Sequence, residues 1–114
     1  MKDFASALNG APRGKLAIEY SNIASTRVYD LAVALKGAFD SLGYDVWGYV
    51  AGFQRAGAPP LVGIEVQTMD DNSKGVAAAI YRAFSTIGIT PQLARRNNSN
   101  YSPETVVILV GDKP

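Results

Sequence analysis

Any chemistry in this chain must come from carboxylates, lysine, arginine, serine, threonine or tyrosine, because its 114 residues include neither histidine nor cysteine. Ser–His–Asp and Cys–His catalysis are therefore excluded within one chain, together with thiolate zinc sites and disulfides. The carboxylates of most interest are Glu19 and Glu65, which occupy matching positions in the related segments Ile18-Glu19 and Ile64-Glu65. On neighbouring strands they could form a carboxylate pair for acid–base work or for a divalent cation. With Asp70 they define one reading of the chain, a small carboxylate- or metal-dependent hydrolase or transferase. The plainer reading makes them solvent-side residues of alternating strands, or partners of lysine and arginine. Asp70, Asp71 and Asn72 form an oxygen-rich run, but they lack EF-hand spacing and a closing glutamate. Helix capping accounts for them without a metal.

A second candidate is an anion site built from two loops. In open α/β sheets ligands gather at the carboxyl ends of strands, where helix N-termini present free N–H groups. The residues placed there are Ser21, Asn22, Ser25 and Arg27 after one strand, and Thr68, Asp70, Asn72, Ser73 and Lys74 after another. A small, nucleotide-like anion is the ligand this pattern suits. Neither loop carries a G-x-G-x-x-G or Walker A spacing, and the first has no glycine. Trp47 and Tyr49, with Tyr44 and Phe53, give one strand an aromatic side on which bases could stack. No RNP1-like run or basic cluster accompanies them, so a core or dimer face is the simpler reading. Arg95-Arg96-Asn97-Asn98 with Tyr101 is the one basic cluster, able to grip phosphate or carboxylate but equally suited to solvent.

These residues have to be positioned by elements that the patterning predicts. Lys15 to Ser21 alternates with period two and reads as a strand. From a cap at Ser25 or Thr26, Val28, Leu31, Leu35, Ala38, Phe39 and Leu42 form a helical stripe that Gly43 stops. Tyr44 to Val50 and Leu61 to Gln67 read as strands around a loop over Ala51 to Pro60. Asp70 to Ser73 caps a second helix, with Val76, Ala77, Ile80, Ala83, Phe84 and Ile87 as its stripe and Gly88 as its stop. Gln92 to Arg96 is a weak edge strand, behind a proline that cannot donate to a ladder. Asn97 to Pro103 is a polar loop. Thr105 to Val110 is apolar on both faces and belongs in the centre of the sheet. Residues 1–14 form a loosely docked arm, with Phe4, Ala5 and Leu8 on one short turn, ahead of a single α/β domain over 15–114.

This βαββαββ order predicts a two-layer sandwich of five strands and two helices, ferredoxin-like, with the first and third strands adjacent. The alternative is a small three-layer, Rossmann-like fold with a helix on each face. In the two-layer case the doubly apolar last strand calls for a second copy over the open face, hence a homodimer. The halves also match: Leu35, Ala38, Phe39, Leu42 and Gly43 recur 45 residues later as Ile80, Ala83, Phe84, Ile87 and Gly88. A duplicated strand–helix–strand unit explains this, as does the common need of any helix that packs on a sheet.

Composition bounds the rest. Hydrophobic residues at 47% against 18% charged place the chain among globular proteins. A net charge of +1 gives no nucleic-acid signal and no pull towards anionic membranes. No apolar run approaches the roughly 20 residues that span a bilayer, and no secretory h-region opens the chain. A cytoplasmic protein without cofactor is the resulting expectation.

Several fragments together carry a resemblance. They are Ala11-Pro12-x-Gly14-Lys15, Ile18-x-Tyr20, Leu31-Ala32-x3-Leu35 running into Gly43-Tyr44-x-Val46, Val62-Gly63-Ile64-x-Val66, Asp70 with Ser73, Ala77-Ala78-Ala79, and Val110-Gly111-x-Lys113-Pro114. In this order they resemble a soluble domain of unknown function found at the C-terminus of many bacterial proteins, often behind transmembrane helices. The resemblance implies a bacterial or phage origin and a regulatory or sensory module, and supplies no site residues. This chain departs from the pattern by starting at a Met with no transmembrane segment, as a free-standing or excised copy would. The function expected is a non-catalytic binding module that senses a small anionic ligand or contacts a protein partner.

Overall fold

The computed structural model describes residues 2–21, 26–53, 61–69, 74–95 and 101–112. In chain order the elements are α1 (Lys2–Leu8), β1 (Lys15–Ser21), α2 (Thr26–Ser41), β2 (Asp45–Val46), β3 (Ala51–Phe53), β4 (Ile64–Thr68), α3 (Lys74–Ser85), β5 (Gln92–Arg95) and β6 (Val106–Val110). The strands form one mixed sheet in the order β2-β1-β6-β4-β5, with β3 pairing β1 along the same side as β2. One apolar core joins Leu16 and Ile18 of β1, Ile64 and Val66 of β4 and Val106, Ile108 and Val110 of β6 to residues of all three helices. All helices therefore lie on one face, and the fold is a two-layer α/β sandwich. No described helix is long and apolar enough to cross a membrane.

Of the strand predicted over residues 44–50 only Asp45–Val46 is extended in the sheet, and a second short strand, β3, falls at residues 51–53, where a loop was predicted. Between the pairs Leu16↔Val46 and Glu19↔Ala51 the outer strand advances five residues while β1 advances three. The two surplus residues break the ladder, as in a bulge, and turn Trp47 and Tyr49 outwards. β6 takes the central slot, parallel to β1 and antiparallel to β4, with all five residues buried. The first and third predicted strands, β1 and β4, are thus separated rather than adjacent. Each strand–helix–strand unit pairs its own two strands in parallel, β1 with β2 and β3, and β4 with β5. That leaves the inner edges of both units to be bridged by the one strand apolar on both faces. Its outer face is covered within the chain: Ala17, Leu61, Val107 and Leu109 form a second small core with Phe53 and Tyr101 against it.

The predicted loose arm is a docked helix. Phe4 and Leu8 are spaced i, i+4 and both are 0% exposed. The Phe4 ring stands between Phe39 of α2 and Phe84 of α3, at 5.5 and 5.1 Å and 71° to each. Phe39 and Phe84 are the pair that recurs 45 residues apart. The equivalence extends to the backbone: Gly43 and Gly88 have φ of 88° and 80°, the left-handed stop that glycine accepts without strain. Tyr44 N–H then donates to Phe39 O, and Ile89 N–H to Phe84 O, at 3.1 and 3.0 Å. Arg13 ties α1 to α2, with Nε on Leu42 O and Nη1 on Leu8 O and Ala11 O, at 2.6, 2.8 and 2.7 Å.

Candidate functional site

Of the nine residues predicted to surround an anion, the structure describes four, and these four do not form one group. Ser21 ends β1 and is buried, Arg27 is exposed in the first turn of α2, Thr68 ends β4, and Lys74 opens α3. Asn22, Ser25, Asp70, Asn72 and Ser73 lie outside the described residues. Because β6 runs parallel to β1 and antiparallel to β4, the carboxyl ends of β1 and β4 point to opposite ends of the sheet. Gln67 is level with Val107 and hence with Ala17, so Thr68 lies about 17 Å from the level of Ser21 at ~3.3 Å per residue. The start of α3 accordingly sits beside the start of β1, where a Cβ on Gly14 would be 3.2 Å from Cγ2 of Val76. The described ends of the two predicted half-sites, Ser21 with Arg27 and Thr68 with Lys74, therefore lie at opposite ends of the sheet.

Glu19 and Glu65 are also kept apart. Each lies directly across from Leu109, one on either side, so two strand spacings, about 10 Å, separate their backbones. Tyr101 Oη donates to Glu19 Oε2 at 2.9 Å, and Gln67 Nε2 donates to the buried Glu65 at 2.6 Å. Among the described residues no three His, Cys, Asp or Glu side chains gather where a metal could be held. Of the basic cluster, Arg95 is exposed at the end of β5, and Arg96, Asn97 and Asn98 lie outside the described residues. Trp47 and Tyr49 are 48% and 65% exposed and so are not core residues.

One half-site does open into a cavity. A cleft of about 980 Å³ lies between the start of α2 and the turn from α3 into β5. Arg27, Val28 and Leu31 form one wall, Ile87 to Thr90 the other, and Gly63, Ile64, Gly111 and Asp112 the floor. The floor is a crossing of two backbones: Gly111 N–H donates to Gly63 O at 2.8 Å, Gly63 N–H to Asp112 O at 2.6 Å, and Asp112 N–H to Leu61 O at 3.0 Å. Gly63 has a φ of 82°, and a Cβ on Gly111 would stand 2.3 Å from Leu61 O. Arg27 has no ion pair among the described residues. Leu31 and Ile87, both predicted to face the core, are instead 40% and 37% exposed into this space.

Sequence reasoning located Arg27 but missed Leu31, Ile87, Gly63 and Asp112. Periodicity marks apolar residues without saying whether the layer above them is filled. The visible signal for the floor was a glycine beside each apolar run, at Val62-Gly63 and Val110-Gly111. Together the fold and cleft define a two-layer α/β domain with an apolar-walled, arginine-edged opening at one end of its helix layer. Comparison of the chain with protein-family models, curated proteins and solved structures found no match.

Proposed function

We propose that this chain is a non-catalytic binding module of regulatory type, whose ligand occupies the cleft between α2 and the α3–β5 turn. The observation that carries the reading is the exposure of Leu31 and Ile87, two stripe residues that the fold leaves uncovered over one cavity. Full burial of such a side chain is worth roughly 1.5–3 kcal/mol, so completing two that are already more than half buried offers about 2 kcal/mol. An anionic group held by Arg27 would add about 1.5–3 kcal/mol from charge-assisted hydrogen bonds. A small molecule with an apolar body and one anionic end, as in a mononucleotide, suits both. The volume falls within the ~300–1,000 Å³ usual for small-ligand sites. Calorimetric titration of ATP, NAD and cyclic nucleotides into wild type, Arg27→Ala and Leu31→Ala tests this. Binding by wild type that each substitution weakens about tenfold is the expected result. Silence from every ligand, or indifference to both substitutions, would end it.

The second reading is contact with a protein partner, a second copy first among them. It rests on Tyr29 and Val33, which lie i, i+4 on α2 and are 47% and 42% exposed. Light scattering separates the two readings, since a mass of twice 12.1 kDa favours the homodimer. The hydrolase reading has no comparable support, because Glu19 and Glu65 stand on either side of Leu109.

A further inference from the structure

At the other end of β1 a second, smaller cavity of about 370 Å³ has a different chemistry, independent of the cleft. Its walls include Trp47, Tyr101, Asp45, Lys15, Ser102 and Thr105. The break between β2 and β3 pushes Trp47 out of the sheet, and Tyr49 packs beside it at 6.5 Å between centroids. The Trp47 and Tyr101 rings meet at 5.5 Å and 75°, so two nearly perpendicular aromatic walls bound one hollow. Tyr101 donates its hydroxyl proton to Glu19, and that hydrogen bond to a carboxylate enriches the ring in electrons. Lys15 Nζ is 3.2 Å from Glu104 Oε1, which balances its charge. Asp45 has no ion pair among the described residues, so its carboxylate lines the cup without a lysine or arginine at contact distance.

Electron-rich faces beside a carboxylate select for positive charge. A phosphodiester would be repelled, and a neutral sugar would leave the charge of Asp45 unused. We propose that this aromatic cup binds a methylated or quaternary ammonium group. The volume suits a head group rather than a whole nucleotide, near the low end of the usual range.

Trp47 is the only tryptophan, so its fluorescence reports on the cup directly. Choline and trimethyl-lysine are titrated against the neutral isostere 3,3-dimethylbutanol, maltose and a short oligouridylate. A saturable change with both cations is expected, with the isostere roughly tenfold weaker. Asp45→Asn should weaken choline several-fold with unchanged circular dichroism, and the isostere comparison needs no variant at all. Equal binding of choline and the isostere would overturn the proposal, as would preference for maltose or oligouridylate, or no response to either cation.

Discussion

Gly111→Ala places a methyl carbon 2.3 Å from the carbonyl oxygen of Leu61 and 2.6 Å from its carbonyl carbon. Both obstacles are backbone, so no rotamer change relieves them, and the crossing of residues 61–63 over 111–112 must open. Overpacking of this kind costs about 1–3 kcal/mol. Opening the crossing also stretches the three backbone hydrogen bonds that hold it, each worth about 0.5–1.5 kcal/mol. Losing two of them brings the expected destabilisation to about 3–5 kcal/mol, a large part of the ~5–15 kcal/mol that keeps a domain folded. Urea unfolding of the purified variant measures it as a fall in midpoint with unchanged slope. Gly37→Ala is the internal control, since that glycine lies within α2 with nothing within 4 Å of its absent Cβ. It should gain about 1 kcal/mol from helix propensity. A Gly111→Ala loss below about 1 kcal/mol would refute the close approach, and with it the floor assigned to the cleft.

Two further perturbations test the helix layer. Phe4→Ala removes a fully buried ring that touches Phe39 and Phe84, and should destabilise by about 3–5 kcal/mol in the same urea assay, whereas a loose arm would lose almost nothing. Tyr44 is buried, its hydroxyl has no hydrogen-bond partner among the described residues, and Arg13 lies over its ring face, 5.0 Å from the centroid. Tyr44→Phe should therefore stabilise the fold by about 1 kcal/mol, measured by the same unfolding. Burial raises the Tyr44 pKa, only partly offset by Arg13. The folded state thus holds the phenol proton more tightly than the unfolded chain does. Stability from this group is complete below the ordinary tyrosine pKa, about 10, and declines as pH rises beyond it. The decline should be shallower in the Phe variant.

α2 and α3 were legible because their stripes and glycine stops are local signals, and β6 because five consecutive apolar residues demand cover on both faces. Strand order was not legible. Nothing in Ile18-Glu19 or Ile64-Glu65 says that the last strand of the chain will come between them, yet that insertion separates both the carboxylates and the predicted half-sites. The break at Trp47 was hidden for a related reason. Residues 44–50 alternate well enough to suggest one strand, and only the register with β1 exposes two surplus residues. Arg13 was read as part of a turn-rich stop, because its three acceptors are backbone carbonyls, which leave no mark in a sequence.

The internal repeat relates the two ends of the helix layer. The two strand–helix–strand units run in opposite directions about a shared β6, so the end of α2 beside the start of α3 has a counterpart in the end of α3 beside the start of α2. The hydrogen bonds around Gly43 and Gly88 match, and a domain of two identical halves would have two identical ends. This one has α1, which enters the helix layer once. Its exit carries Arg13 onto Leu42 O, and a depression of about 440 Å³ remains there, with Leu42 packed against the core. At the opposite end no described helix corresponds to α1, Ile87 stays 37% exposed where its equivalent Leu42 is partly buried, and the cavity is about 980 Å³. Among the described residues the helix layer is thus asymmetric, closed by the exit of α1 at one end and open over Leu31 and Ile87 at the other.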